Sequence, residues 1–191
     1  MTNKVLMVVS ASALALAACG QKSGEAGNDM NVAVDNGVMA DNGMMADAAS
    51  PNSAQGFANT AAASDRFEIE SSKLAATQGQ SAAVKSFAEK MITAHEESTS
   101  KLKATTIGLT PVVTPDDTLS AAQQQDLDAL KAKTGAEFDT AYAAAQVKAH
   151  QAALGALKGY AASGDTPALK DFANGLVPTV TAHLNMAKGL K

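Results

Sequence analysis

Residues 81–104 read SAAVKSFAEKMITAHEESTSKLKA, and the spacing within them decides the fold. Val84, Phe87, Met91, Ala94 with His95, Ser98 and Leu102 recur at intervals of three and four, which puts them on one face of an α-helix. Gly79-Gln80 breaks the chain before this stretch, and Ser81 is suited to cap the helix that follows. Parts of the stretch occur twice. Val84-Lys-Ser-Phe87-Ala88 returns as Leu169-Lys-Asp-Phe172-Ala173, and Thr93-Ala94-His95 returns as Thr181-Ala182-His183, with three extra residues around Pro178 in the second copy. Two helical hairpins, 58–104 and 136–189, are thus copies of one unit, and two hairpins packed face to face make a four-helix bundle.

The remaining elements follow from the same reading. The segment 58–78 carries Phe67 and Leu74 seven apart among alanines. Pro111 and Pro115 bar a helix through 105–117, after which a short helix places Leu119, Leu127 and Leu130 on one face. Thr134-Gly-Ala-Glu137 has the form of a capping box and predicts a long helix over 136–162. Thr166-Pro167 offers a cap and a first-turn proline for the last helix, 167–189. Pro178 should kink that helix, yet Phe172, Leu176, Val180, His183, Leu184, Ala187 and Leu190 carry the apolar stripe across it. No segment alternates with period two. The expected fold is all-α: four long helices in two hairpins, joined by a crossover containing one short helix.

Composition narrows the function. The 191 residues carry a formal net charge of -4 and a single arginine, Arg66, which excludes the clustered cations that nucleic acid requires. One cysteine excludes an internal disulfide and any CxxC site. P-loop, GxGxxG and HExxH patterns are absent, as is any Ser/His/Asp order, so most familiar enzyme classes lack their motif.

That cysteine ends a leader. Lys4 precedes an apolar run, Val5 to Ala17, too short for a hydrocarbon core of about 30 Å. Leu16-Ala17-Ala18-Cys19 then supplies small residues before a cysteine, as a cleavable signal peptide requires. The arrangement resembles the lipobox of bacterial lipoproteins. That resemblance implies a signal peptide over 1–18, diacylation of Cys19, and a chain held to the membrane by lipid at the cell envelope. Gly20, where an Asp is associated with inner-membrane retention, leans the expectation toward the outer membrane, facing the periplasm. Residues 19–56 hold no aromatic residue and are dominated by Gly, Asn, Asp, Ser and Ala, the composition of a disordered tether. Asp-Asn-Gly-Val-Met-Ala at 35–40 recurs as Asp-Asn-Gly-Met-Met-Ala at 41–46. Met30, Met39, Met44 and Met45 offer thioethers suited to Cu(I), but with no His or Cys among them a drifted linker repeat is the preferred reading.

With these residues in view, the chain resembles the DUF4142 family over roughly 58–190. The matching stretches are Glu68-Ile-Glu-Ser-Ser-Lys-Leu-Ala75, Val84-Lys-Ser-Phe-Ala-Glu-Lys-Met91 with His95, Gly135-Ala-Glu-Phe-Asp-Thr-Ala-Tyr142, Gln146-Val-Lys-Ala-His150 and Leu176-Val-Pro-Thr-Val-Thr-Ala-His183. The resemblance implies a ferritin-like up-and-down bundle over 57–191 and an envelope setting, and brings no settled biochemical activity. Where the family usually has an acid directly before the histidine of the second helix, this chain has Ala94.

His95, His150 and His183 are the only histidines, each on a different long helix and each on or beside its apolar stripe. Counted from the hairpin turns, His95 and His150 lie at similar heights and His183 about 6 Å deeper. Glu68 and Asp65 on the first helix fall at comparable depth. Three imidazoles with Glu68 would suit one Zn, Fe, Cu or Ni ion, supported by Asp65, Gln146 and Tyr142. Gln146, four residues before His150, is placed to orient that ring, and Asp139 with Tyr142 to fix the start of its helix. A di-iron centre is disfavoured, because Ile92, Val147 and Val180 stand where Glu-x-x-His would need its acids. Histidines on apolar stripes are more often hydrogen-bonded core groups than ligands. The first expectation is therefore a lipid-anchored, non-catalytic module acting through interaction or stress tolerance. The alternative is a mononuclear metal-binding or metal-dependent redox protein.

Overall fold

The computed structural model describes residues 50–190. The leader, Cys19, the methionine repeat and the tether up to residue 49 lie outside the described residues. Five helices follow in order: α1 Ala54–Gln78, α2 Ala82–Thr106, α3 Ala121–Lys131, α4 Gly135–Ser163 and α5 Pro167–Lys188. The fold is all-α, as expected, with α1–α2 and α4–α5 packed as hairpins and α1 against α4, α2 against α5. The short helix α3 lies in the crossover and touches α1 and α4.

Local chemistry explains most of the boundaries. The Ser53 hydroxyl accepts from the Gly56 amide at 3.1 Å, so α1 opens at Ala54, and residues 54–56, assigned from composition to the tether, are helical. Ser81 caps α2 by accepting from Ala83. The capping box sits elsewhere than the sequence implied. Thr134 makes no side-chain cap bond, whereas Ser120 and Gln123 exchange both bonds of a box and start α3 at Ala121, which leaves Leu119 before the helix. Pro178 lies inside α5, which runs on to Lys188. Both Pro178 and Asn174, whose carbonyl the missing N–H leaves free, are exposed, so water can satisfy that group.

The core divides into two apolar ends. One end packs Phe57, Leu102, Leu157, Tyr160 and Leu169, with the Phe57 and Tyr160 rings stacked at 4.0 Å. The other packs Val84, Phe87, Met91, Leu130, Phe138 and Tyr142, with Phe138 stacked on Tyr142 at 5.7 Å. Between them every long helix turns polar toward the axis: Asp65, Glu68, Ser71 and Ser72 from α1, His95 and Ser98 from α2, Gln146 and His150 from α4, His183 from α5, all buried.

One carboxylate ties the two hairpins together. Asp139, near the start of α4, accepts from the Gln80 amide at 3.0 Å and the Ser81 amide at 2.7 Å, capping the turn between α1 and α2. Gly79 is needed beside it, since a Cβ there would lie 2.6 Å from the Ala75 carbonyl oxygen and 3.1 Å from Asp139 Oδ1. Gly135 takes φ +61 on the facing segment, a left-handed conformation that glycine adopts without strain. Asp139→Ala strands two amides next to buried groups and should cost about 2–4 kcal/mol in urea unfolding. A loss below about 0.5 kcal/mol would show that the turn is held by something else.

Candidate metal centre

The three imidazoles meet in the polar layer. Ring centroids are 5.7 Å apart for His95–His150, 5.8 Å for His95–His183 and 5.6 Å for His150–His183. One nitrogen from each ring lies within 4.8 Å of the others. The extra depth counted for His183 does not separate it from its partners, because counting from turns assumes parallel axes and equal starting heights, and α5 starts only at Pro167.

Two of the rings are oriented from behind. His95 Nδ1 pairs with Asp65 Oδ1 at 2.8 Å, and the Thr99 hydroxyl donates to Asp65 Oδ2 at 3.2 Å. His150 Nδ1 donates to the Gln146 carbonyl oxygen at 2.8 Å. These bonds leave Nε2 of both rings without a partner, and Nδ1 of His183 has none either, although all three atoms are buried. Buried polar atoms ordinarily find partners. A carboxylate or carbonyl on the far nitrogen, with the near one free and facing two others, is how metal-ligating histidines are held. The donor set therefore fits an ion of the imidazole-preferring group, Zn, Cu, Fe or Ni, with a fourth position open.

The acids and amides named from the sequence take different places. Asp65 orients His95. Glu68 Oε1 is 3.5 Å from His150 Nδ1, the nitrogen already committed to Gln146, so Glu68 flanks the ring and stands outside the three-nitrogen cluster. Gln146 orients His150 through its backbone carbonyl, while its side-chain amide donates to Ser71 at 3.1 Å. Tyr142 does not reach the histidines; its hydroxyl pairs with Ser72 at 2.7 Å. Sequence reading missed Thr99, although its position four residues after His95 placed it on the same helix face.

Burial dominates the electrostatics. It pushes Glu68 up to about 7, against the pull of the His95 charge and of the Gln146 amide beside it. It lowers His150 to about 4, opposed by the Gln146 carbonyl and helped by repulsion from His95 and His183. It likewise lowers His183 to about 4, with repulsion from His95 adding to it. Burial would lower His95 too, but the Asp65 bond and the charges of Glu68 and Asp65 outweigh it and raise the ring above its ordinary value. At neutral pH His150 and His183 are thus neutral and ready to donate lone pairs.

These shifts set the acid behaviour of the metal-free chain. Between pH 4.5 and 6.5 the unfolded chain protonates His150 and His183 and the folded chain does not, which destabilises the fold as pH falls. Glu68 acts the other way, being protonated in the folded state below about 7 and in the unfolded state only below its ordinary value. His95 is protonated in both states there. Two protons against one leave a net loss of stability as pH falls, and Glu68→Gln, which removes the opposing proton, should make the slope about twice as steep. Equal slopes in urea unfolding of the two chains would contradict the assignment.

None of the curated proteins matches this sequence. Two solved structures share the fold. CopM in the Cu(II)-bound form is 16% identical, with a TM-score of 0.61 over 72% of this chain and 94% of that one. CopM in the Ag-bound form, obtained by co-crystallization, is 15% identical, with a TM-score of 0.59 over 72% and 93%. The family described as "Domain of unknown function (DUF4142)" matches residues 40–190. From the bundle, its motifs and this match, the chain belongs to the DUF4142 family.

Proposed function

We propose that this protein is a metal-binding module of the cell envelope that holds one transition-metal ion on His95, His150 and His183. The observation that carries the reading is the convergence of three buried imidazole nitrogens within 4.8 Å, two of the rings fixed from behind by Asp65 and Gln146. Neutral imidazoles bind Cu(II) ahead of the other divalent first-row ions. The similarity to bundles solved with Cu(II) and with Ag bound adds support for copper. An ion here needs no thiolate and no carboxylate in its first sphere, since Asp65, bonded to the far nitrogen of His95, supplies negative charge behind that ring.

Lipid on Cys19 would place the module at a membrane surface. None of the described helices is long and apolar enough to cross a membrane. The support for attachment is the apolar run ending in Leu16-Ala17-Ala18-Cys19. Two or three acyl chains hold a protein firmly, where one does so only marginally.

Titration of the metal-free chain with Cu(II) in a non-chelating buffer should saturate near one equivalent, and His150→Ala should lower affinity at least about 100-fold. Retention of the same equivalent by His150→Ala, or its absence in the parent, overturns the reading. Cys19→Ser should move the expressed protein from the detergent phase to the aqueous phase; persistence in detergent would dismiss the lipid.

A further inference from the structure

His95 and His183 also form part of the wall of a cavity of about 570 Å³ within the bundle. Alanine supplies another part of the wall: Ala145, Ala149, Ala152 and Ala156 step by four, three and four along one face of α4. The small side chains leave the space, and α3 covers it. Gln123 of α3 lines the cavity and donates to the Ala63 carbonyl oxygen at 3.2 Å. At the mouth Lys148 pairs with Asp126 at 2.7 Å, joining α3 to α4.

An alanine stripe alone specifies nothing. Here it lines the same cavity as two imidazoles, 6% and 8% exposed, whose nitrogens (Nε2 of His95 and Nδ1 of His183) have no partner. Ser98 and Asp65 also line that end, and Asp65 has both oxygens engaged by His95 and Thr99. An occupant therefore meets mainly apolar walls along its body and two unpartnered imidazole nitrogens at its tip. Its charge is constrained as well. The cation at the mouth, Lys148, is paired with Asp126, and at depth His95 is paired with Asp65 while Glu68 lies beside His150, so an anion finds no cation without a counter-charge of its own. The volume falls within the usual range of small-molecule pockets and exceeds what a single ring fills.

We propose that this cavity binds an uncharged aromatic compound of about two rings bearing one hydroxyl, with the rings against the α4 alanines and the hydroxyl bonded to His95 or His183. The inference rests on the metal reading and deepens it by naming a ligand class for the same site, since both use the unpartnered nitrogens of His95 and His183. Its test needs no ion. The full chain, stripped with EDTA, is titrated with 2-naphthol, naphthalene and 2-naphthoate and followed by naphthyl fluorescence. A hydrogen bond to a buried imidazole should make 2-naphthol bind about tenfold tighter than naphthalene, and 2-naphthoate weakest of the three. Ala149→Phe should abolish 2-naphthol binding while leaving the circular dichroism of the helices intact, and Ala156→Phe serves where that variant fails to fold. Equal affinity for naphthol and naphthalene, absence of naphthol binding, or binding that survives a filled cavity overturns the proposal. Naphthol binding intact beside absent Cu(II) binding strikes the metal reading alone.

Discussion

A layer of polar groups buried at the middle of the bundle constrains everything around it. Imidazoles and carboxylates lose their hydration there, and the loss is tolerable only where partners are supplied at bonding distance. Asp65, Thr99 and the Gln146 carbonyl supply some of them. The apolar ends on either side, with their stacked rings, hold four helices close enough for those bonds to form. Burial of Phe57, Tyr160, Phe138 and Met91 is thus what makes the central chemistry possible.

That layer separates the roles of two carboxylates only three residues apart. Asp65 touches a ring nitrogen and accepts a hydroxyl, so its charge is used. Glu68 has no hydrogen-bond partner on either oxygen and sits beside a ring that burial keeps neutral. A carboxyl group in that position holds its proton to near neutrality, and its contribution to the centre is adjustable charge instead of coordination.

Much of this was legible in the sequence. The three-and-four spacing in 81–104 and its partial copy near 169–183 sufficed for the helices, their pairing in hairpins and the placement of one histidine on each of three rods. What escaped was long-range or compositional. The partner of Asp139 is a turn some sixty residues away, and nothing local announces it. Tyr142 had several polar residues within plausible reach, and which hydroxyl it meets depends on how α1 rotates against α4. Thr134 and Glu137 satisfy the capping pattern in letters, but Thr134 makes no side-chain cap bond, and the box forms at Ser120 instead. Several alanines of α4 border open space, a placement that periodicity does not carry.

His150 and His183 belong to the same hairpin, while His95 comes from the other. Two of the three imidazoles accordingly sit in one supersecondary unit, and the third is contributed across the seam by the other. On the proposed reading, coordination across that seam would act as a removable crosslink. An ion held on all three rings would bear on how firmly the two halves of the chain stay clasped, and its removal would leave that seam looser.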